Sequence, residues 1–268
     1  TLPEISSQRF SSWFKIQVSE NHQKNVVLFN DTFTEFNQPE VGKAAVKVLN
    51  ALKYNVIIPK WSCCGRPLLS KGKLEAARQK AVKLIKILMP YAVKGYAIIG
   101  LEPSCILTVI DDYTGLVGKS DPEILAMIST IRPLCTTFDE FIASHVDATG
   151  QLPLKFIENP QQVLVHGHCH QKSLVGMDKT MKMLKSLPGY TASEIPSGCC
   201  GMAGSFGYEK EHYDISMKIA ALKLVPAIEA APTTTEIIAN GFSCRCQIDH
   251  TTGRKAVHLA EALANRLQ

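Results

Sequence analysis

The sequence predicts an α/β protein of two similar halves, each a small parallel sheet flanked by helices. Short apolar runs that suit buried strands alternate with stretches of helical spacing along the chain. The order of these elements is the same in both halves, and cysteines follow the predicted strands in each half. With 268 residues, the chain is long enough to bury two such cores.

In the first half, the strands and helices are identified from apolar runs and from helical periodicity. The strands are predicted at residues 26–29, 55–59 and 97–101. The helices are predicted at residues 41–52 and 74–88. The second strand leads into Cys63-Cys64-Gly65, and the third ends just before Cys105.

The second half repeats this order. Its strands are predicted at residues 163–165, 191–195 and 236–239, and its helices at 179–187 and 213–228. Cys169 follows the first strand, Cys199-Cys200-Gly201 follows the second, and Cys244 follows the third. In parallel sheets, ligands bind beyond the carboxyl ends of the strands. We therefore expect the thiols of each half to meet at one edge of its sheet.

Nine cysteines carry most of the chemical information. They are Cys63, Cys64, Cys105, Cys135, Cys169, Cys199, Cys200, Cys244 and Cys246. The odd number and the two adjacent pairs argue against a disulfide framework, because neighbouring cysteines bridge only with strain. Metal binding in a reducing compartment fits this pattern better.

The two Cys-Cys-Gly turns suit an iron–sulfur cluster, which is held by thiolates. Gly65 and Gly201 permit a positive φ or a close backbone approach. The helix that follows each turn presents N–H groups that stabilise negative sulfur. We predict Cys199, Cys200, Cys169 and Cys244 as ligands. Gly201 is expected at the same site, and the glycine-rich stretch that it opens, 201–207, could donate N–H groups to a cluster.

The other thiols carry alternatives. Cys63, Cys64 and Cys105 are candidate ligands because of their places in the repeat. Cys246 forms Cys-x-Cys with Cys244 and is either a fifth ligand or a spectator. Cys135 stands alone and is interpreted as a buried core thiol.

Three histidines alternate around Cys169, namely His166, His168 and His170. In an extended segment they share one face, where they could act as ligands or proton relays. The alternative, which we favour from sequence, is that they satisfy loop backbone beside a buried site. His212, His250 and His258 are interpreted as surface or packing residues.

The composition excludes several classes of function. The net charge of +5 is scattered along the chain and is typical of solvated helix faces, so nucleic-acid binding is not expected. Residues 1–24 are polar, without a signal-peptide core or an initiator Met, and are predicted to be a linker or N-terminal extension. Residues 25–150 and 151–268 are then the two repeats. A cytoplasmic location follows, for a processed protein or a piece of a longer one.

The motifs together resemble the cysteine-rich (CCG) domains of heterodisulfide reductases and of the iron–sulfur subunits of glycolate and lactate oxidases. They are most similar to the C-terminal region of FAD-linked D-2-hydroxyacid oxidases fused to iron–sulfur modules. The segments that carry the resemblance are 31–33, 63–67, 100–105, 166–172, 198–207 and 240–245.

The resemblance implies an electron-transfer domain with no substrate chemistry of its own. In the parent protein, an FAD domain would oxidise a D-2-hydroxy acid such as lactate or 2-hydroxyglutarate, and ferredoxin-like clusters would lie in between. This chain would pass electrons through a cluster, expected as 4Fe-4S, to a quinone or another carrier. Peripheral association with the inner face of a membrane is compatible with that role.

The sequence departs from the family pattern of five thiols in each half. In the first half, Asp31 is assigned to the place of the opening cysteine, and Glu102 begins the closing motif that ends at Cys105. That site is therefore expected to be empty, to bind zinc, or to bind a cluster with Asp31 or Glu102 as an oxygen ligand. The second half keeps four thiols, with Gly241 in the place that corresponds to Glu102.

Two other functions are compatible with the residues. A structural zinc module or scaffold would use cysteine and histidine at turns, although the long separations fit common zinc folds poorly. Thiol–disulfide or nucleophilic chemistry by Cys169, beside its histidines, is the other alternative.

Overall fold

The computed structural model describes residues 2–17, 22–118 and 121–268. The chain divides into two compact units, a first of Ile5–Phe141 and a second of Ile142–Gln268 together with residues 2–4. Each unit is described by itself.

The first unit is built on a four-stranded parallel sheet in the order β2-β1-β3-β4. Its strands are β1 (Lys24–Phe29), β2 (Tyr54–Ile57), β3 (Ala97–Gly100) and β4 (Cys135–Thr137). Its helices are α1 (Phe10–Phe14), α2 (Thr32–Phe36), α3 (Pro39–Ala51), α4 (Arg66–Ser70), α5 (Leu74–Ala92), α6 (Pro103–Ile110), α7 (Asp112–Val117), α8 (Pro122–Ile131) and α9 (Phe138–Ala143).

The second unit has a parallel sheet of the same order, β6-β5-β7-β8. Its strands are β5 (Gln161–His166), β6 (Tyr190–Glu194), β7 (Glu236–Ala239) and β8 (Ala256–Val257). Its helices are α10 (Cys169–Leu174), α11 (Asp178–Ser186), α12 (Tyr213–Glu229), α13 (Phe242–Thr252) and α14 (Leu259–Arg266).

Helical periodicity explains how each sheet is covered. The apolar side of α5 is fully buried at Ala77, Ala81, Leu84, Ile85 and Leu88, and the central strand β1 is buried from Val26 onward. Burial on both faces of a parallel sheet favours continuous apolar strands. The predicted α/β class with two parallel sheets is therefore confirmed.

Strand register makes the repeat quantitative. Phe29 at the end of β1 pairs with Gly100, and His166 at the end of β5 pairs with Ala239. Counting on from these pairs, Asp31 corresponds to His168 and Thr32 corresponds to Cys169. On the neighbouring strands, Glu102 corresponds to Gly241 and Cys105 corresponds to Cys244.

This register corrects one sequence-based assignment. Thr32, not Asp31, occupies the place of the opening cysteine. The physical reason is helix capping: Asp31 is the N-cap of α2, as His168 is the N-cap of α10. A residue with a side-chain acceptor is required just before the first helical residue.

Three further features differ from the sequence-based description. The fourth strand of each sheet, β4 and β8, was not predicted. Within the segment interpreted as a linker, α1 forms, and Phe10 is fully buried where its ring leaves no space for a Cβ at Gly42. The units divide at Phe141/Ile142, whereas the repeats were divided at 150/151. Among the described residues, no helix is long and apolar enough to cross a membrane.

Candidate metal centres

The second unit brings four cysteines together at the carboxyl ends of β5, β6 and β7. Cys169 is the first residue of α10, and Cys244 is the third residue of α13. Cys199 and Cys200 lie in the loop after β6. Cys200 and Cys244 are buried, whereas Cys169 is exposed, so the group has one side toward solvent.

The four thiols form a continuous chain of contacts. Cys169 contacts Cys199, Cys199 contacts Cys200, and Cys200 contacts Cys244. Hydrogen bonds from Cys169 and then Cys200, aided by the backbone N–H groups of Gly201 and Ala203, lower the pKa of Cys199 far below its usual value. The hydrogen bond to Cys199 raises the pKa of Cys169 in turn. The group therefore favours at least one thiolate, which is the form that binds metal.

Gly201 allows this turn to form against α12. Its φ is +96°, and a Cβ at this position would lie 2.2 Å from the Ser216 backbone oxygen. The Gly201 N–H donates a hydrogen bond of 3.2 Å to Cys199 Sγ. Any other residue would have to move the turn, and with it the two adjacent thiols.

Two histidines complete the surroundings of the thiols. The Nδ1 atom of His166 is 2.8 Å from Ser197 Oγ, and its ring is buried next to Cys200 and Cys244. His168 Nδ1 accepts a hydrogen bond of 3.2 Å from the backbone N–H of His170. The hydrogen bond from Cys200, with smaller contributions from His166 and His168, lowers the pKa of Cys244 well below its usual value.

The first unit brings three cysteines together at the equivalent edge. Cys63 and Cys64 follow β2, and Cys105 is the third residue of α6. Cys64 Sγ lies 3.3 Å from Cys105 Sγ, and the Gly65 N–H donates a hydrogen bond of 3.4 Å to Cys63 Sγ. Gly65 has a φ of +85°, as the repeat predicts.

The two carboxylates of the first unit serve as helix caps. Asp31 Oδ1 accepts hydrogen bonds from the N–H groups of Phe33 and Thr34. Glu102 Oε1 accepts from the N–H and the hydroxyl of Ser104. The hydroxyl of Thr32, at the place of Cys169, contacts Cys63.

The charge balance of the first site differs from that of the second. Burial, opposed by the capping hydrogen bond of Thr34 and aided by Glu102, raises the pKa of Asp31 to about 6. The Cys64 hydrogen bond lowers the pKa of Cys105, but burial together with Asp31 and Glu102 raises it to about 11. These carboxylates therefore disfavour a further negative charge at Cys105.

The two remaining cysteines lie apart from these groups. Cys246 is two residues after Cys244, about 200° around the helix, and its thiol lies beside the Tyr208 hydroxyl. Its role as a fifth ligand stays a prediction. Cys135 begins β4 and is buried, and this burial raises its pKa to about 12.

Sequence reasoning missed several residues that support the sites. Tyr113 is buried and donates a hydrogen bond of 2.7 Å to the Cys64 carbonyl. Ser197 holds the His166 ring, and the Lys172 ammonium contacts the Ser197 carbonyl. Arg245 donates to the carbonyls of Ala239 and Asn240 at the start of α13. Only position next to a cysteine motif could have indicated Ser197 and Arg245, and nothing local indicates Tyr113.

The residues of the second site fit an iron–sulfur cluster. Four thiols in mutual contact match the four-thiolate ligation that such clusters use, and backbone N–H groups of Gly201, Ala203 and Met202 point at the sulfurs. A buried imidazole nitrogen of His166 adds a further donor that has no hydrogen-bond partner among the described residues. The first site offers three thiols and fits such a cluster less completely.

A repeated parallel sheet with a thiolate group at each carboxyl edge defines a class of protein: a two-site metal module of the Cys-Cys-Gly type. The chain belongs to the cysteine-rich domain (CCG) family, which matches residues 29–110 and 163–249. The two matches correspond to the two sheets, and the family that the motifs predicted is confirmed.

Similar proteins include components of three oxidoreductase systems. The chain is 30% identical over 98% of its length to the third (C) component of the anaerobic glycerol-3-phosphate dehydrogenase of Escherichia coli K12. It is 24% identical over 91% to D-2-hydroxyglutarate dehydrogenase of the same strain, and 26% identical over 90% to lactate utilization protein A 1 of Bacillus cereus AH820. It spans 66%, 23% and 99% of these relatives, respectively. The predicted class, an iron–sulfur electron-transfer module, is confirmed at the level of the family.

Proposed function

We propose that this chain transfers electrons through a 4Fe-4S cluster held by Cys169, Cys199, Cys200 and Cys244. The observation that carries the proposal is the contact chain of these four thiols at one sheet edge. When bound, the cluster would supply a reversible electron acceptor at this edge.

The residues of the chain would set the properties of that acceptor. Backbone N–H groups of Gly201, Met202 and Ala203 donate to the sulfurs and stabilise negative charge there. The burial of Cys200 and Cys244 excludes water from one side. Cys169 is exposed, so this side of the site is where a redox partner can approach.

The partner is proposed to be a flavoprotein. The names of the relatives point to glycerol 3-phosphate, D-2-hydroxyglutarate and lactate, and all three compounds carry a secondary alcohol. We infer that a flavin domain, joined to this chain or on a separate polypeptide, oxidises such an alcohol. Ferredoxin-like clusters would lie between the flavin and this chain, and a quinone or another carrier would receive the electrons. The site of action is proposed as cytoplasmic or peripheral on the inner face of the membrane.

The test uses the chain purified without air and reconstituted with iron and sulfide. Reduced flavin mononucleotide should bleach its visible absorption and produce an EPR signal, and a soluble quinone should reverse both changes. Cys199→Ser should abolish both responses, while Cys135→Ala, a buried thiol outside the sites, should keep them. A chain that binds iron and sulfide but never changes with reduced flavin would contradict the proposal.

A second candidate concerns the first site alone, where zinc is proposed. Three thiols at Cys63, Cys64 and Cys105 match zinc sites that use three protein ligands and an open position. The two carboxylates beside them are engaged as caps. Zinc in protein made with iron available, lost on Cys64→Ser and retained on Cys200→Ser, would support this assignment. Sulfide that depends on Cys64 would contradict it.

A further inference from the structure

The second site contains a buried nitrogen donor that the four thiols do not account for. His166 is 1% exposed, and its Nε2 atom is buried without a hydrogen-bond partner among the described residues. This nitrogen faces Cys244, and the ligand atoms of His166, Cys200 and Cys244 all lie within 4.8 Å of one another. An unpaired buried polar atom costs free energy, so its position requires an explanation.

The tautomer of His166 is compatible with metal binding. Its Nδ1 atom is held 2.8 Å from the Ser197 hydroxyl, which can accept the N–H of Nδ1. In that tautomer, the lone pair of Nε2 is directed at the two buried thiols. Metal-binding histidines regularly donate their other ring N–H to an oxygen acceptor.

His168 has the opposite tautomer. Its Nδ1 accepts the backbone N–H of His170, so the neutral ring carries its proton on Nε2. A ring nitrogen that carries a proton donates a hydrogen bond and does not bind a metal. His168 therefore acts as a donor toward the site, and the two histidines have different roles.

The place of the missing fifth thiol is blocked by His168. Gly241 stands where the family pattern would put a cysteine, and a Cβ there would lie 2.5 Å from His168 Cδ2 and 2.9 Å from Cys244 Sγ. A fifth donor from position 241 is thus excluded by packing. In the first unit, Phe29 occupies the register position of His166, so that site lacks this nitrogen.

We propose that His166 binds the metal of the second site directly through Nε2, as a fifth donor beside four thiolates, with Ser197 holding the ring. This inference rests on the proposed function, because it concerns the same site. Replacement of thiolate by imidazole raises the reduction potential of iron–sulfur centres. The two halves of the repeat would then hold chemically different sites.

Pulsed EPR of the reduced full chain, prepared with histidine labelled with ¹⁴N or ¹⁵N, tests this proposal. We expect the strong coupling of a directly bound imidazole nitrogen, which changes with the isotope. His166→Gln should remove this coupling, while His168→Gln and the exposed control His250→Gln should retain it. A reduced cluster without such coupling would overturn the inference, as would a coupling that survives His166→Gln or disappears with His168→Gln.

A second measurement separates this inference from the proposed function. If the wild-type chain assembles no iron and sulfide, the proposed function fails, and Co²⁺ added to the same chain tests the ligand. His166→Gln should then shift the Co²⁺ ligand-field absorption, and His250→Gln should not. An unchanged Co²⁺ spectrum in His166→Gln would overturn the inference by itself.

Discussion

Asp31 is a buried carboxyl group that caps a helix and is costly to ionise. Burial raises its pKa from 3.8 to about 6, so the folded state binds a proton more tightly than the unfolded state does. The resulting cost is absent below about pH 4 and fully present above about pH 6, so it reduces stability as the pH rises through this window.

Asp31→Asn should therefore stabilise the metal-free chain at pH 7.5, because asparagine keeps the capping oxygen and removes the charge. A pKa difference of about two units corresponds to about 3 kcal/mol in the free energy of unfolding. Urea unfolding at pH 7.5 and pH 4 measures the gain, which should nearly vanish at the lower pH. Glu123→Gln removes the same charge from an exposed position of α8 and serves as the control. An equal gain at both pH values would contradict this account.

Ser197 positions His166 without touching the metal. Ser197→Ala should lower metal affinity by about 10–100-fold, the usual effect of removing the partner of a metal-binding histidine. Competition with a coloured chelator measures the affinity, and the nitrogen coupling in pulsed EPR should persist but broaden. Ser197→Thr, which retains the hydroxyl, should restore most of the affinity. An alanine variant with wild-type affinity would show that the ring is held by packing alone.

At the scale of single residues, the sequence predicted thiols better than their partners. Cys199 and Cys200 were recognisable because adjacent cysteines before a glycine suit few other roles. His166 was interpreted as a loop residue, because no local pattern shows that Ser197, 31 residues away, meets its ring. The identity of Thr32 as the counterpart of Cys169 required the strand register.

At the scale of elements, each Cys-Cys-Gly turn depends on a glycine with positive φ. Gly201→Ala should destabilise the second unit more than Gly204→Ala does. Both positions have positive φ, at +96° and +73°, but only Gly201 has a backbone oxygen 2.2 Å from the added Cβ. The backbone conformation alone costs about 1–2 kcal/mol, and the clash adds to this at Gly201.

Thermal unfolding together with iron content tests this difference. Gly204→Ala should lower the midpoint slightly and keep the metal, because nothing lies within 4 Å of its Cβ. Gly201→Ala should lower the midpoint further and lose metal, since the turn moves both thiols. Equal effects of the two variants would contradict the steric argument.

The central strands were predictable because they are continuous apolar runs between helices of regular spacing. The edge strands β4 and β8 were missed because they contain three and two residues, too few for any periodicity. Helix α1 was missed because Phe10 is one aromatic residue in a polar segment. Its burial depends on the space left by Gly42, which is distant in sequence.

At the scale of the whole molecule, the repeat is retained in the fold but not in the chemistry. Both sheets have the same strand order and place Cys-Cys-Gly at the same edge. The second site has four thiols and two histidines, whereas the first has three thiols and two buried carboxylates. We infer that one fold unit, used twice, supports two different metal sites.

The central claim is that the second site holds the iron–sulfur cluster. The most direct test measures iron, acid-labile sulfide and zinc, with a reduced EPR spectrum, in protein purified without air. The wild type should contain about four iron and four sulfide per chain. Cys199→Ser/Cys200→Ser should lose them, and the matched variant Cys63→Ser/Cys64→Ser should keep them. Zinc without sulfide in the wild type, or iron that depends only on Cys63 and Cys64, would contradict the claim.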